Sequence, residues 1–212
     1  MSGLSPPKRT TYRHGDLRHA LIAAGTELAR AGGPDAVVLR EATRRVGVAP
    51  NAAYRHFADR RALLDAVCAT AQSLLAVAIE QELARVPAAA DAADLARARL
   101  RAVGTGYLRF AQNEPGLFRT AFSVPRDLDN LGDPARAGAS GLSPFLLLGS
   151  VLDELVDTGA LPKARRPGAE FLAWSSVHGL SMLLIDGPLR ALDKKQTHAI
   201  IERLLDMVEQ GL

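Results

Sequence analysis

Histidine, cysteine and serine are the residues from which many reaction centres are built, so their spacing comes first. The chain has five histidines and one cysteine. No two of His14, His19 and His56 lie four apart, the spacing that puts two imidazoles on one helical face, and zinc requires several converging ligands. No metal site is expected. Cys68, being alone, cannot form a disulfide within the chain, and only scattered arginines surround it in sequence, so it reads as a small buried hydrophobe. The Ala-Ser-Gly and Gly-Leu-Ser runs within residues 138–143 lack the strand–turn–helix setting of a nucleophile elbow, and there is no glycine-rich phosphate loop. Neither an enzyme nor a bound cofactor is expected.

Two constellations remain. The first is VGVAPNAAYRHFADRRALL, residues 46–64, where Tyr54, Arg55, His56 and Phe57 stand together among further arginines. The second is Trp174 and His178, four apart and so on one helical face. That pair could form the wall of a ligand pocket, an apolar indole beside a titratable donor or acceptor. It could equally be an aromatic stacked on a hydrogen-bonded core histidine, with Gly179 allowing a close helix approach.

The elements that must position these residues are helices. Hydrophobic residues make up 48% of the chain and aromatics only 5%, so its cores are built from Ala, Leu and Val, and Ala and Leu favour helix. The expected architecture is all-α, about nine helices, with an N-terminal helix-turn-helix unit of three helices and a C-terminal helical domain. Residues 1–14 are basic and rich in Pro, Ser and Thr, and read as a flexible arm. Asp16 can cap a helix to about residue 31. A short helix covers roughly 39–46, Gly47 turns the chain, and a second starts at Pro50 and closes at Phe57-Ala58. Asp59 caps a long helix reaching about Val86-Pro87. Further helices fit 92–113, a short piece 117–122, 142–158, 167–186 and 193–210, with a Pro/Gly/Asp-rich loop over 123–141. The division expected is 15–66 and 67–212. No run of 18 apolar residues suggests a membrane span, and MSGLSPPKRTTYRHG has no apolar stretch for a secretory signal. The expected location is cytoplasmic, on the nucleoid.

Two short helices joined through Gly47 have helix-turn-helix spacing, in which the second helix enters the DNA major groove. Its entry must be small-sided, and Asn51, Ala52 and Ala53 meet that need, with Asn suited to adenine and Ala to a thymine methyl. Tyr54 and His56 suit phosphate contacts, as do Arg13, Arg40, Arg44 and Arg60. Charge agrees in sign. Residues 1–65 hold eleven Lys or Arg against six Asp or Glu, whereas the rest holds fifteen against seventeen. A polyanion-binding module needs such clustering, although an arginine-rich solvated surface would look the same.

From Tyr12 to Val67 the chain resembles the DNA-binding domain of the TetR family of transcriptional repressors. The matching stretches are YRHGDLRHALI and LREATRRVGVAPNAAYRHFADRRALL, and the Gly-Val turn followed by Tyr-X-His-Phe and a Leu-Leu is highly specific. Residues 174–179, WSSVHG, resemble a Trp…His-Gly feature of one class of TetR effector domains. The sequence departs from the family at Val38 and Ala49, where capping Ser or Thr is usual, at Ala52, and at Arg60, usually Lys. The resemblance implies a homodimeric repressor on a near-palindromic double-stranded DNA operator, released by a small apolar or amphipathic effector. Regulation without an effector, or activation, is the alternative. It places an effector pocket in the C-terminal domain, with Phe110, Phe118, Phe122, Trp174, His178 and Met182 as candidates. The last two helices would form the dimer through Ile200, Ile201, Leu204, Leu205 and Val208. Gly104 and Gly106 leave room in the 92–113 helix for either a neighbour or a ligand.

Overall fold

The computed structural model describes residues 14–125 and 132–212. They form nine α-helices and several 3-10 turns, with no strand among the described residues. The helices are α1 (His14–Gly32), α2 (Leu39–Val46), α3 (Pro50–Ala53), α4 (Arg60–Leu83), α5 (Ala92–Asn113), α6 (Pro115–Ala121), α7 (Pro144–Asp157), α8 (Ala169–Ile185) and α9 (Lys194–Gly211).

Local chemistry sets most boundaries. The Asp59 carboxylate accepts from the Ala62 N–H at 2.8 Å to start α4, and Asp91 accepts from Ala93 and Asp94 to start α5. Asp193 and Gln196 form a reciprocal capping box on α9, satisfying two N–H groups that a helix end otherwise leaves bare. Proline opens α3, α6 and α7, where its missing N–H costs nothing. Gly47, at φ 76° and ψ 30°, lies in the left-handed region that ends α2 and turns the chain into α3.

The boundaries differ from expectation in three places. α1 begins at His14, so the expected cap at Asp16 lies inside the helix; residues 1–13 of the expected arm are outside the described residues. α3 keeps only Pro50–Ala53 as α-helix and continues as turns to His56, about one turn short of the expected end. Ala49 supplies no side-chain cap, and Asn51, Tyr54 and Arg55 face away from the core, so little beyond Ala53 and Phe57 holds this segment. The loop expected over 123–141 contains a 3-10 turn at Pro134–Arg136, with 126–131 outside the described residues. Arg136 is buried there: Nη1 donates to Gln72 Oε1 at 2.7 Å and Nε to Asp133 at 3.3 Å.

α4 is the axis of the molecule. By length and composition it could cross a bilayer, but half of its apolar stretch is buried inside the protein. Leu63, Val67, Cys68, Leu75 and Ile79 bury that surface against α1, α5 and α6. Cys68 donates its thiol to the Thr120 carbonyl at 2.9 Å, and burial raises its pKa, so it behaves as the packed thiol expected. α4 and α5 approach closely at Gly106: a Cβ there would sit 2.7 Å from Ile79 Cα and 3.1 Å from Ala78 O. α6 presses on α1 in the same way, since a Cβ on Gly116 would collide with the Ala29 and Arg30 carbonyl oxygens. Arg30 ties the same junction to Glu114 at 2.9 Å.

Candidate functional site

Two features could act on other molecules: the surface around α2 and α3, and a cavity among α4–α9.

At the first, α2 is strongly two-faced. Leu39, Ala42 and Thr43 are buried, while Arg40, Arg44 and Arg45 point outward. Arg44 binds both oxygens of Glu41, at 2.9 and 2.7 Å, and Arg45 shares that carboxylate at 3.4 Å. Hydrogen bonding from Arg44, with its charge and that of Arg45, lowers the Glu41 pKa to about 2. Asn51 and Tyr54 are exposed, Tyr54 at 57%, and His56 is half-buried beside them. Phe57 is buried beneath, with the Arg18 guanidinium 5.5 Å from its ring centre.

The second feature is a cavity of about 570 Å³ with mostly apolar walls. α4 contributes Gln72 and Ile79, α5 Gly104 and Tyr107, α7 Phe145 and Leu148, α8 Trp174, Val177 and His178, and α9 Leu205, Val208 and Glu209. Phe122, just past α6, completes one wall. The aromatic rings form one cluster, with Phe122 4.9 Å from His178 and 6.1 Å from Trp174, and Phe145 6.0 Å from Trp174. Such edge-on and tilted contacts are favoured over face-to-face stacking.

A short hydrogen-bond chain runs through this cluster. Trp174 Nε1–H donates to the Tyr107 hydroxyl at 3.1 Å, and that hydroxyl lies 2.8 Å from His178 Nδ1. Indole can only donate. Tyr107 therefore accepts from Trp174 and gives its own hydrogen to Nδ1; the reverse would leave the buried Tyr107 O–H unmet, whereas this arrangement leaves the unmet N–H on the ring of His178, which lines the cavity. Burial pushes the Tyr107 phenol above its usual value and the His178 imidazole below its own. Both groups are held neutral. At the cavity's α9 side, Arg101 bridges to Glu209, Glu202 and Asp206 at 2.6, 2.8 and 2.8 Å. Hydrogen bonding to Glu202 above all, with Glu209 and Asp206, raises the Arg101 pKa against the cost of burial.

Residues 100–208, just over half of the chain, match the family described as Tetracyclin repressor-like, C-terminal domain. The chain belongs to the TetR family. Residues 21–67 match the family's DNA-binding part, described as Bacterial regulatory proteins, tetR family, so this TetR chain is a DNA-binding regulator of transcription. A protein of unknown function from Rhodococcus sp. RHA1 shares 25% identity with it over 96% of this chain and 99% of that one, with a TM-score of 0.71. FadR from Bacillus subtilis, solved in complex with stearoyl-CoA, has 14% identity, 92% and 98% coverage and a TM-score of 0.64. A TetR-family regulator from Pectobacterium atrosepticum has 19% identity, 96% coverage of both chains and a TM-score of 0.57. The last two share the fold. No curated protein sequence matches.

The TetR fold sorts the residues singled out in the sequence. Arg40 and Arg44 of α2, Asn51 of α3 and Tyr54 just past it are exposed, and Ala52 and His56 are half-buried. Arg13 lies outside the described residues. Ala53 is corrected: at 0% exposure it belongs to the core under α3 and cannot face bases. Arg60 has another use than phosphate, since Nε donates to the Val37 carbonyl at 2.8 Å and Nη2 to that of Pro34 at 2.7 Å. It locks the α1–α2 connection onto α4.

In the C-terminal half, Phe122, Trp174 and His178 line the cavity. Phe110 and Phe118 do not; they are buried core, with Phe118 packed edge-on to Tyr107 at 5.4 Å. Met182 is 37% exposed on the outer face of α8. Tyr107, Gln72 and Phe145 line the cavity as well, Tyr107 and Gln72 without any signal along the chain that pointed to them. Gly104 and Gly106 answer differently: Gly104 lines the cavity, and Gly106 admits the α4 backbone. On α9, Ile200, Ile201 and Leu204 are half-exposed, but Leu205 and Val208 are corrected as dimer contacts because they are buried in the protomer's own core. Most of the large apolar side chains left outside in this half are on α8, where Phe171, Leu172, Met182 and Leu183 are exposed, with Leu146 of α7 and Met207 of α9.

Proposed function

We propose that this TetR-family chain is a homodimeric repressor, released from a near-palindromic operator when a small, mainly apolar molecule occupies the cavity. One observation carries the reading: a single helix, α4, belongs to both features. Its middle supplies Gln72 and Ile79 to the cavity wall. Its first turns support the DNA-facing unit, through Arg60 on the α1–α2 connection and through Leu63 and Val67 against Gly25 of α1. Displacing α4 at the cavity therefore moves the reading unit. The functional division, 15–66 and 67–212, falls inside this helix. An effector that prefers the displaced state by a few kcal/mol is sufficient to release DNA.

Asn51 and Ala52 are assigned to bases, and Tyr54, His56, Arg40 and Arg44 to phosphates. In the dimer, the exposed face of α8 and the outer edge of α9, with Ile200, Ile201 and Leu204, meet their symmetry mates. Two-fold pairing presents two copies of α3 to one face of the duplex, hence a near-palindrome.

The test is selection of DNA fragments by the purified protein, followed by fluorescence anisotropy on the enriched sequence. Affinity should fall with salt at a slope near −0.9 for each phosphate neutralised. Tyr54→Ala should weaken binding to all sequences alike, whereas Asn51→Ala should relax preference at one base position. No enrichment, or binding insensitive to both substitutions, would refute the assignment of α3 to the groove.

A further inference from the structure

The polar inventory of the cavity restricts what can fill it. Among the described residues that line it, Arg101 and Glu209 are the two that carry charge, and they are bonded to each other at 2.6 Å. Arg101 is held in addition by Glu202 and Asp206, so its guanidinium faces three carboxylates already. A ligand carboxylate or phosphate would have to displace them. A ligand cation would have to take Glu209 from Arg101. Burying an ion without a counter-ion costs several kcal/mol, which apolar walls cannot return.

The uncharged polar groups are mostly committed. Gln72 gives its amide N–H to the Ala121 carbonyl at 2.7 Å and receives Arg136 on its amide oxygen at 2.7 Å. Ser175 donates to the Leu172 carbonyl at 3.1 Å, and Trp174 donates to Tyr107. His178 differs. Its Nδ1 accepts the Tyr107 hydrogen, which fixes the neutral ring with its proton on Nε2. Nε2–H has no protein partner among the described residues, and the ring lines the cavity. The Trp174–Tyr107–His178 chain thus ends on one oriented, neutral donor within an aromatic wall formed by Phe122, Phe145 and Trp174.

We infer that the cavity takes an uncharged, predominantly apolar molecule bearing one oxygen acceptor, such as a ketone, ester or lactone carbonyl, which receives the His178 Nε2–H. This rests on the cavity being the effector site and adds the chemical class of the effector. Tyr107 is a positioning residue: through its hydroxyl it fixes the tautomer and the orientation of the His178 ring.

The test uses the full-length protein and its single tryptophan, Trp174, which lies in the cavity wall and reports occupancy by its fluorescence. Four probes of one chain length separate the classes: methyl octyl ketone, decane, decanoate and decyltrimethylammonium. The ketone should bind about tenfold more tightly than decane, the worth of one well-made hydrogen bond. Decanoate and the ammonium salt should bind more weakly than the ketone. His178→Phe should abolish the preference for the ketone over decane while decane still binds, which also shows that the variant folds. His178→Gln, which keeps a donor, should retain part of that preference. Tighter binding of either ion, equal binding of ketone and decane to the wild type, or no binding of any probe would overturn the inference. So would an undiminished ketone preference in His178→Phe. Operator release is measured separately by anisotropy on the selected DNA. If the ketone binds through His178 and the DNA stays bound, the site chemistry stands and the effector reading of the cavity falls.

Discussion

Gly106→Ala gives the most direct test of α4 as the link between cavity and DNA-facing unit. The added Cβ would meet Ile79 Cα at 2.7 Å, Ala78 O at 3.1 Å and Ile79 N at 3.2 Å. All three are backbone atoms, so no side-chain rotation relieves them. Ordinary contact begins near 3.4 Å, so α4 and α5 must part by about 0.7 Å at this point, the difference between 3.4 and 2.7 Å. Overpacking of this kind costs about 1–3 kcal/mol, offset by up to about 1 kcal/mol from replacing glycine in a helix. The central net loss is about 1 kcal/mol, or roughly 2–4 °C in Tm for a chain of this size. Gly104→Ala is the control. Its Cβ would crowd the tip of Leu205, Cδ2, at 2.5 Å and meet Val177 Cγ1 at an ordinary 3.7 Å; both are side-chain atoms, and the Leu205 tip borders the cavity. It should change Tm by less than half as much. Thermal melting followed by circular dichroism measures both, and anisotropy on the operator measures the consequence. Gly106→Ala should weaken operator affinity although residue 106 is remote from α3, and Gly104→Ala should not. Equal stability of Gly106→Ala and wild type would show that the α4–α5 backbones have slack, and the coupling argument would fail with it.

Three further outcomes are expected. Glu41→Gln frees Arg44 and Arg45 from their shared carboxylate, so operator affinity should rise at low salt and the salt slope should steepen by about 0.9 per added phosphate contact; an unchanged slope would show that the arginines do not reach DNA. Leu172→Glu places a charge on the exposed α8 face, where Leu172 is 63% exposed in the protomer. Sedimentation should then show dimer dissociation strengthened by about thirtyfold, roughly 2 kcal/mol, with helix content unchanged, and a dimer as tight as wild type would move the interface elsewhere. The third concerns pH. Burial puts the His178 pKa below its ordinary 6.5 in the folded chain, so on acidification the unfolded chain takes up this proton first. His178 therefore contributes stability above about pH 6.5 that is lost as pH falls through the folded-state value. The wild-type Tm should drop more steeply than that of His178→Gln between about pH 7 and about pH 5, and parallel curves would refute it.

Much of this molecule is legible along the chain because it depends on local chemistry. Asp59 caps α4 through a neighbour three residues on, and α5 starts at Ala92 and ends at Asn113, as its caps and periodicity indicate. Trp174 and His178 were readable as a pair because four residues of helix put them on one face, and both do line the cavity. Tyr107 was not readable as the third member of that chain. It lies 67 and 71 positions away from its partners, and only the packing of α5 against α8 unites them.

Rotation about a helix axis was equally invisible. Ala52 and Ala53 are the same residue type one step apart, about 100° around the helix, and one is half-exposed while the other is sealed under α3. α9 is amphipathic, which says that its Leu205 face will be buried but not in what; the protomer's own α5 takes it, and the outward apolar surface falls to α8. Arg60 looks like a phosphate contact until the Val37 and Pro34 carbonyls are seen within its reach. The family, the helices and the sign of the charge on the reading unit are legible along the chain, since these are properties of residues near one another in it. Which apolar faces close on one another, where the cavity is left between them and which donor remains free inside it were decided by the tertiary structure alone, because each depends on residues that meet only when distant helices pack.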